Sequence, residues 1–416
     1  MESAAQAYFS NLYPFDELCA FLTRHGDDLR NVEFALEGRE IYRRYVSVGS
    51  PDELRQLCVR HPEIRSLHVG AVYDGPNHRR SVPVRRELVF DIDLSDYDFL
   101  DLSSTIDMQK ADSAWCVSAT AAFITKYLLE SAFGFDECAT VYSGRRGVHV
   151  YALDKRATNL TQEARSAIVS YLNFVASKDN LRASELTHSV AKSHGLISAC
   201  RYALRDIMIE SHGMLDDVAR RMDFVNRLAL DTHHVLGNLG QEVLTLRNGL
   251  EAFDHVSARI ERVCEATKTD WTRTRLDCVI LAYTWPRLDA AVTSSLTHLI
   301  KAPFVAHPKT GRLAVPVCES ALYTFRPDLV PCIHDSVDEV VLNRCVLHFQ
   351  RMVTRASSSF PSATEGEGDE CGGGDKDVED LVVAPRGSAP VPRDRLSGVR
   401  RKWTRRRSPL VPEGAV

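Results

Sequence analysis

The sequence predicts an α/β protein of the mixed α+β kind, and three observations predict it. Apolar, β-branched runs bounded by turn residues occur near 88–94, 141–151 and 313–317. The stretch from about 164 to 275 carries helical patterning instead. From about residue 357 the patterning dissolves.

Taken in chain order, Ser50-Pro51-Asp52-Glu53 is a capping box with proline at the first helical position. It opens a helix with Leu54, Leu57 and Cys58 on one side. Leu88–Leu94 reads as a strand. A long apolar helix is expected from about Ser113 to Ser131, stopping at Gly134. Two strands flank the turn at Ser143-Gly144. Residues 164–276 read as a helical insertion in a unit made of 1–163 and 277–350, with strands returning at Val279–Leu281 and Leu313–Val317. The tail, 357–416, is acidic and glycine-rich, then basic from Arg400 to Arg407, and is expected to be disordered. Its basic end suits nuclear import or an auxiliary nucleic-acid arm; a solvated tail with no dedicated role is the plain alternative.

Composition sets broad limits. With 416 residues, 44% of them hydrophobic, the chain can bury a large core. No apolar run nears the roughly eighteen residues of a membrane span, and Met1-Glu2-Ser3-Ala4-Ala5 lacks a basic signal-peptide start. A soluble, non-secreted protein is expected. A net charge of −5 does not exclude nucleic acid, because binding depends on local basic surface. Of the eleven cysteines, no two lie closer than thirteen residues, so no compact zinc knuckle is expected.

The chemistry concentrates in two places. In Glu87-Leu88-Val89-Phe90-Asp91-Ile92-Asp93-Leu94, alternation puts Asp91 and Asp93 on one face and the apolar side chains on the other. Neighbouring like charges repel, and a divalent cation with a preference for hard oxygen ligands, Mg²⁺ or Mn²⁺, would neutralise both. An exposed edge strand with two solvated aspartates is the competing reading. About fifty residues on, Val141-Tyr142-Ser143-Gly144-Arg145-Arg146-Gly147-Val148-His149-Val150-Tyr151 has the makings of a phosphate cradle. Glycines admit backbone N–H groups to an anion, and guanidinium forks bind its oxygens in pairs. A hairpin with a basic turn is the alternative.

These blocks, in this order, resemble the catalytic (small) subunit of the archaeo-eukaryotic DNA primase family. Phe90–Asp98 resembles the family's metal-binding strand, and Phe133-Gly134-Phe135 leading into Tyr142–His149 its triphosphate block. Pro286-Arg287-Leu288-Asp289, His298–Phe304 and His307-Pro308-Lys309-Thr310-Gly311-Arg312 resemble its late segments. The likeness runs from about residue 8 to about 316, diluted between roughly 180 and 275. It implies a catalytic fold joined to a sheet like that of an RNA-recognition motif. It also implies Asp91, Asp93 and Asp289 as catalytic metal ligands, with Ser143, Arg145, Arg146, His149, Arg287, Lys301 and His307 on the triphosphate. Glu33, Tyr42 and Arg44 align near the incoming nucleotide, Glu33 only after a one-residue gap.

The family's cysteine cluster is missing after the metal strand, where only Cys116 remains, so zinc is not carried over. Ser66 and His68 stand where the family tends to have a basic and an acidic residue. Val292-Thr293-Ser294-Ser295 replaces a usual Lys-Gly pair. The resemblance implies a DNA-dependent RNA polymerase making short RNA primers from NTPs on single-stranded DNA with Mg²⁺ or, as a substitute, Mn²⁺. A large primase subunit and a DNA polymerase alpha-type complex are the implied partners, and the nucleus the implied location, with mitochondria also open. A primase-polymerase that also uses dNTPs, or an inactive assembly subunit, are the alternatives.

Overall fold

The computed structural model describes residues 4–100, 102, 108–176, 194–228 and 237–358. The tail from 359, its basic end, and parts of the helical stretch lie outside these residues. Two antiparallel sheets organise the chain. The first contains β1 (Val32–Gly38), β2 (Tyr42–Val46), β3 (Ile64–Tyr73) and β4 (Pro83–Arg85) in the order β2-β1-β3-β4, with β8 (Ile300–Lys301) also paired to β3. The second contains β5 (Leu88–Asp93), β6 (Cys138–Tyr142), β7 (Gly147–Ala152) and β9 (Pro316–Val317) in the order β5-β7-β6-β9.

The second sheet is built around β7, all of whose residues are buried. Val148 and Val150 pair with Ile92 and Phe90 on one side and with Tyr142 and Thr140 on the other. The helix Trp115–Phe133 packs on this sheet, against β7 and β5. Its alanines at 119, 121 and 122 are buried and allow close approach, while Ile124, Leu128 and Leu129 fill the layer. It ends where expected: Gly134 takes a left-handed conformation at φ 69°, and its N–H closes on Glu130. The capping box is also formed. Ser50 accepts from the Glu53 N–H at 3.2 Å, and Glu53 accepts from the Gly49 N–H at 2.7 Å, at the start of the helix Pro51–Arg60.

The chain's beginning is tied to its late segments. Tyr8 and Tyr13 donate their hydroxyls to the carbonyls of Phe304 and Pro303 at 3.0 and 2.9 Å. Phe21 of the helix Phe15–Leu22 packs on Phe349 of the final described helix, Glu339–Ser358, with ring centroids 5.2 Å apart. Among the described residues no helix is long and apolar enough to cross a membrane.

Two expectations are corrected. Val279–Leu281 is not a strand but part of the helix Trp271–Thr284, so helical structure runs past residue 276. Cys278 through Thr284 are buried all round, and such a run has no periodicity to separate helix from strand. At Leu313–Val317 only Pro316–Val317 pairs as a strand, with Val141 and Thr140 of β6; Leu313 makes a single bridge to Ala306. Proline lacks the N–H a continuing ladder needs, which confines β9 to the sheet edge.

The turn between β6 and β7 leaves no room for a side chain at Gly144, which has φ +87° and where a Cβ would lie 2.6 Å from the Arg312 carbonyl oxygen. Gly144→Ala is therefore expected to lower stability by more than about 1 kcal/mol, read as a lower urea midpoint at unchanged slope.

Candidate active site

The second sheet delivers the acids. On β5, Asp91 and Asp93 point away from the buried Phe90 and Ile92, opposite His149 and Gly147 of β7. Asp289 arrives on the other side of β5. Leu288 bridges to Ile92, and the Asp289 N–H donates to the Asp91 carbonyl at 3.0 Å, so the late segment docks like one more strand residue. Asp289 then caps the short helix Ala290–Ser294, its Oδ1 accepting from the N–H groups of Ala291 and Val292. Asp93 Oδ1 likewise accepts from the N–H and the hydroxyl of Ser95, both at 2.8 Å. Among the described residues, every hydrogen bond made by these two carboxylates uses Oδ1, which leaves Oδ2 to bind a cation.

Burial, then the charges of Asp93 and Asp289, pushes the Asp91 carboxyl up to about 7. Asp96 is raised as well, by burial and by Asp93. The acids form an open cluster: among the described residues no three His, Cys, Asp or Glu side chains are gathered as a ready cage. Oxygen-only donors under mutual repulsion suit Mg²⁺ or Mn²⁺.

Beside the acids lies the cradle. The Ser143 N–H donates to the Gly147 carbonyl and the Gly147 N–H to Ser143 Oγ, which closes the turn. Arg146 Nε sits 2.7 Å from Asp93 Oδ1, an ion pair without hydrogen-bond alignment, and Arg145 Nε is buried and unpartnered. Lys301 reaches over from β8 of the first sheet and donates to the Ser143 carbonyl. Burial holds the Lys301 amine down at about 7 despite the attraction of Asp91. This one bond joins the two sheets at the site.

Both histidines are held neutral. His149 is buried, with Nε2 3.6 Å from Asp91 Oδ1 and Nδ1 unpartnered; burial and then Lys301 push it down to about 3. Burial and the cations Lys301, Arg145, Lys309 and Arg146 do the same to His307. His307 Nδ1 accepts from the Lys309 N–H at 3.2 Å, so its proton resides on Nε2 as a neutral donor.

The remaining expected residues lie around this centre. Arg287 stacks over Tyr97 at 5.0 Å and pairs with Asp98 at 2.7 Å. Glu33, Tyr42 and Arg44 belong to the first sheet. Tyr42 is exposed and packs edge-on to His68. Glu33 is fully buried and accepts a fork from Arg44 at 2.9 and 3.1 Å, the Tyr45 N–H and the Tyr73 hydroxyl. Its part is to hold Arg44, which also donates to the Thr297 carbonyl at 2.9 Å.

Reading residues alone missed the supports. Asp98 pairs with Arg287 at 2.7 Å, and its place in the acidic run Asp91-x-Asp93-x-x-Asp96-x-Asp98 is the one signal that could have found it. Asp112, which takes a fork from Arg312 at 2.8 and 3.0 Å, gives no sequence signal. The ten cysteines among the described residues are free thiols.

The folded Asp91 pKa lies above its unfolded value. Its contribution to stability is thus full below about pH 4 and is lost as pH rises through about 7. In chelator, Asp91→Asn should melt higher than wild type at pH 8, and the gap should narrow as pH falls below about 7 and close by about pH 4. Thermal melts across that range check it; a variant melting lower at pH 8 contradicts the repulsion.

Comparison with known proteins gives one consistent outcome. The DNA primase small subunit family matches over residues 90–318. The chain is 30% identical to a DNA primase small subunit of Caenorhabditis elegans over 355 residues, 80% of this chain and 86% of that protein. It is 28% identical to the DNA primase small subunit of Saccharomyces cerevisiae over 366 residues, 83% of this chain and 87% of the other. With that of Drosophila melanogaster the identity is 29% over 333 residues, 75% and 74% of the two chains.

Proposed function

The chain belongs to the DNA primase small subunit family, and from that premise we propose that it is the catalytic chain of a primase. It joins ribonucleoside triphosphates into short RNA primers, de novo, on single-stranded DNA. The observation that carries this reading is the convergence of Asp91, Asp93 and Asp289 beside Arg146, Lys301 and two neutral histidines.

Asp91, Asp93 and Asp289 would hold Mg²⁺, with Mn²⁺ as a substitute. Bound there, a pair of ions supplies charge stabilisation at the attacking 3′-oxygen and the leaving pyrophosphate oxygen. The protein's own groups bind and orient the triphosphate. Arg145 and Arg146 offer guanidinium donors, Ser143 its hydroxyl, and Lys301 a buried amine. His307 offers Nε2–H, and His149 an unpartnered Nδ1. Arg287, fixed by Tyr97 and Asp98, presents a cation without freedom to wander. Neutral imidazoles bond phosphate oxygens without adding charge that would repel the metals.

A large primase subunit and an alpha-type DNA polymerase complex are the partners this reading calls for, in the nucleus. Use of dNTPs is a second reading, favoured by one observation: Ser66 is buried, and His68 is tied to Glu37 at 2.7 Å. Sugar choice thus rests on groups other than the usual pair, and competition between ATP and dATP resolves it.

The test incubates the purified chain with poly-dT, ATP and Mg²⁺ or Mn²⁺, with and without the large subunit. Asp91→Ala and Asp93→Ala should each lower primer synthesis by several orders of magnitude. Near-normal synthesis by either sinks the metal assignment. Arg146→Lys keeps the charge and loses the fork, and should weaken binding of a non-hydrolysable ribonucleotide by about 1–3 kcal/mol. Single-stranded DNA binding should change far less. Equal calorimetric affinities for wild type and variant would reduce the cradle to a basic hairpin.

A further inference from the structure

Among the described residues, Arg86 and Arg165 are the largest fully buried side chains; Arg86 is 1% exposed and lies just before β5. Its surroundings do not repay a buried charge. Nε and Nη2 have no hydrogen-bond partner. The neighbouring acid in sequence, Glu87, is engaged by Arg24 at 2.6 Å. The nearby cation is another buried arginine, Arg165, whose charge works against Arg86. Glu87 attracts Arg86, but burial and the repulsion of Arg165 outweigh that attraction, so the buried guanidinium lowers stability. Groups that lower stability yet occupy a core are expected where function needs them.

What Arg86 does bond is informative. Nη1 donates to the carbonyls of Val292 and Ser295. Both lie at the end of Ala290–Ser294, the helix whose first residue follows Asp289. The segment 288–295 is held to the β5 strand at two other places. Leu288 bridges to Ile92 through the hydrogen bond from the Asp289 N–H to the Asp91 carbonyl, and Thr293 Oγ1 donates to the Val89 carbonyl at 2.9 Å. Arg86 supplies the third, at the far end. Helix-terminal carbonyls have no partner within the helix, and a buried one left bare loosens its turn. Arg86 is itself anchored: its N–H donates to the Thr158 carbonyl at 3.2 Å, and Arg165 donates to the carbonyls of Arg86 and Glu87.

We propose that Arg86 is a positioning residue for the third carboxylate: by tying down the end of the Ala290–Ser294 turn, it holds Asp289 in register with Asp91. Arg86 touches neither metal nor nucleotide. It acts through the backbone that carries Asp289, in the way outer groups orient metal ligands. This inference rests on the proposed metal role of Asp289, and the test separates the two.

The experiment measures Mn²⁺ binding to the full chain by electron paramagnetic resonance, without turnover, together with melting temperature and the metal and ATP dependence of primer synthesis. Arg86→Met removes both the unpaired charge and the donors. Its melting temperature in chelator should stay close to wild type, because the two losses oppose each other. Mn²⁺ affinity should fall about tenfold, the lower end of the range for outer-shell groups. Synthesis should recover at high Mn²⁺, with KM for ATP little changed. Arg86→Lys, with one donor site in place of a fork, should sit between, about threefold weaker. A purely structural role would lower the melting temperature without moving the metal half-saturation. Mn²⁺ affinity within about twofold of wild type in a folded Arg86→Met chain overturns the proposal. Should that variant not fold, an unchanged half-saturation in Arg86→Lys overturns it instead. A wild-type chain that binds no Mn²⁺ overturns the metal assignment itself, whereas a competent wild type with an unaffected variant overturns only Arg86.

Discussion

Carboxylate repulsion on β5 is the constraint on which the rest of the site depends. Asp91 is mostly withdrawn from water, and Asp93 and Asp289 both add negative charge to its surroundings. A fold can sustain that arrangement only by holding the backbone rigidly and by setting cations close at hand. Both devices are present. β5 pairs with β7 along its whole length, and the Asp289 segment docks on its other edge. Arg146 lies against Asp93, and Lys301 within the field of Asp91.

The cations in turn set the state of the histidines. His149 is buried near Lys301, and His307 is half-buried near Lys301, Arg145, Lys309 and Arg146, so a positive charge on either ring is unfavourable. Two imidazoles stay neutral at any pH where the arginines and acids do their work. The site therefore sorts its groups by charge, with carboxylates, guanidinium groups and uncharged imidazoles side by side. The Lys301 bond to Ser143 couples these groups across the two sheets, which explains how residues more than two hundred apart in sequence, Asp91 and Lys301, share one environment.

Much of this was legible, and the reasons are specific. Period-two alternation exposed Asp91 and Asp93, because a strand with one buried face leaves a simple trace. The capping box at Ser50 and the stop at Gly134 were readable because both are local hydrogen-bond problems with few chemical solutions. Val279–Leu281 misled, since a helix buried on every side writes the same apolar run as a strand. The buried roles of Glu33, Arg86 and Arg165 were invisible for a related reason. Charged residues read as surface, and only tertiary structure reveals that a guanidinium fork, or a ring of carbonyls, awaits them.

Those buried ions also explain why the centre is a poor place to seek stability. Arg24 with Glu87 forms a paired unit, and Glu33 is fully satisfied by Arg44, Tyr45 and Tyr73. Arg86 and Arg165 are compensated mainly by carbonyl dipoles, weaker partners than carboxylates. All four clusters sit where one segment of the fold meets another: strand β5 with its neighbours, or β1 with β2 and the Thr297 loop. Hydrophobic packing could join those segments more strongly, but it tolerates sliding. Directional bonds to named carbonyls do not. A site that must hold three carboxylates in fixed register, against their own repulsion, gains more from direction than from strength.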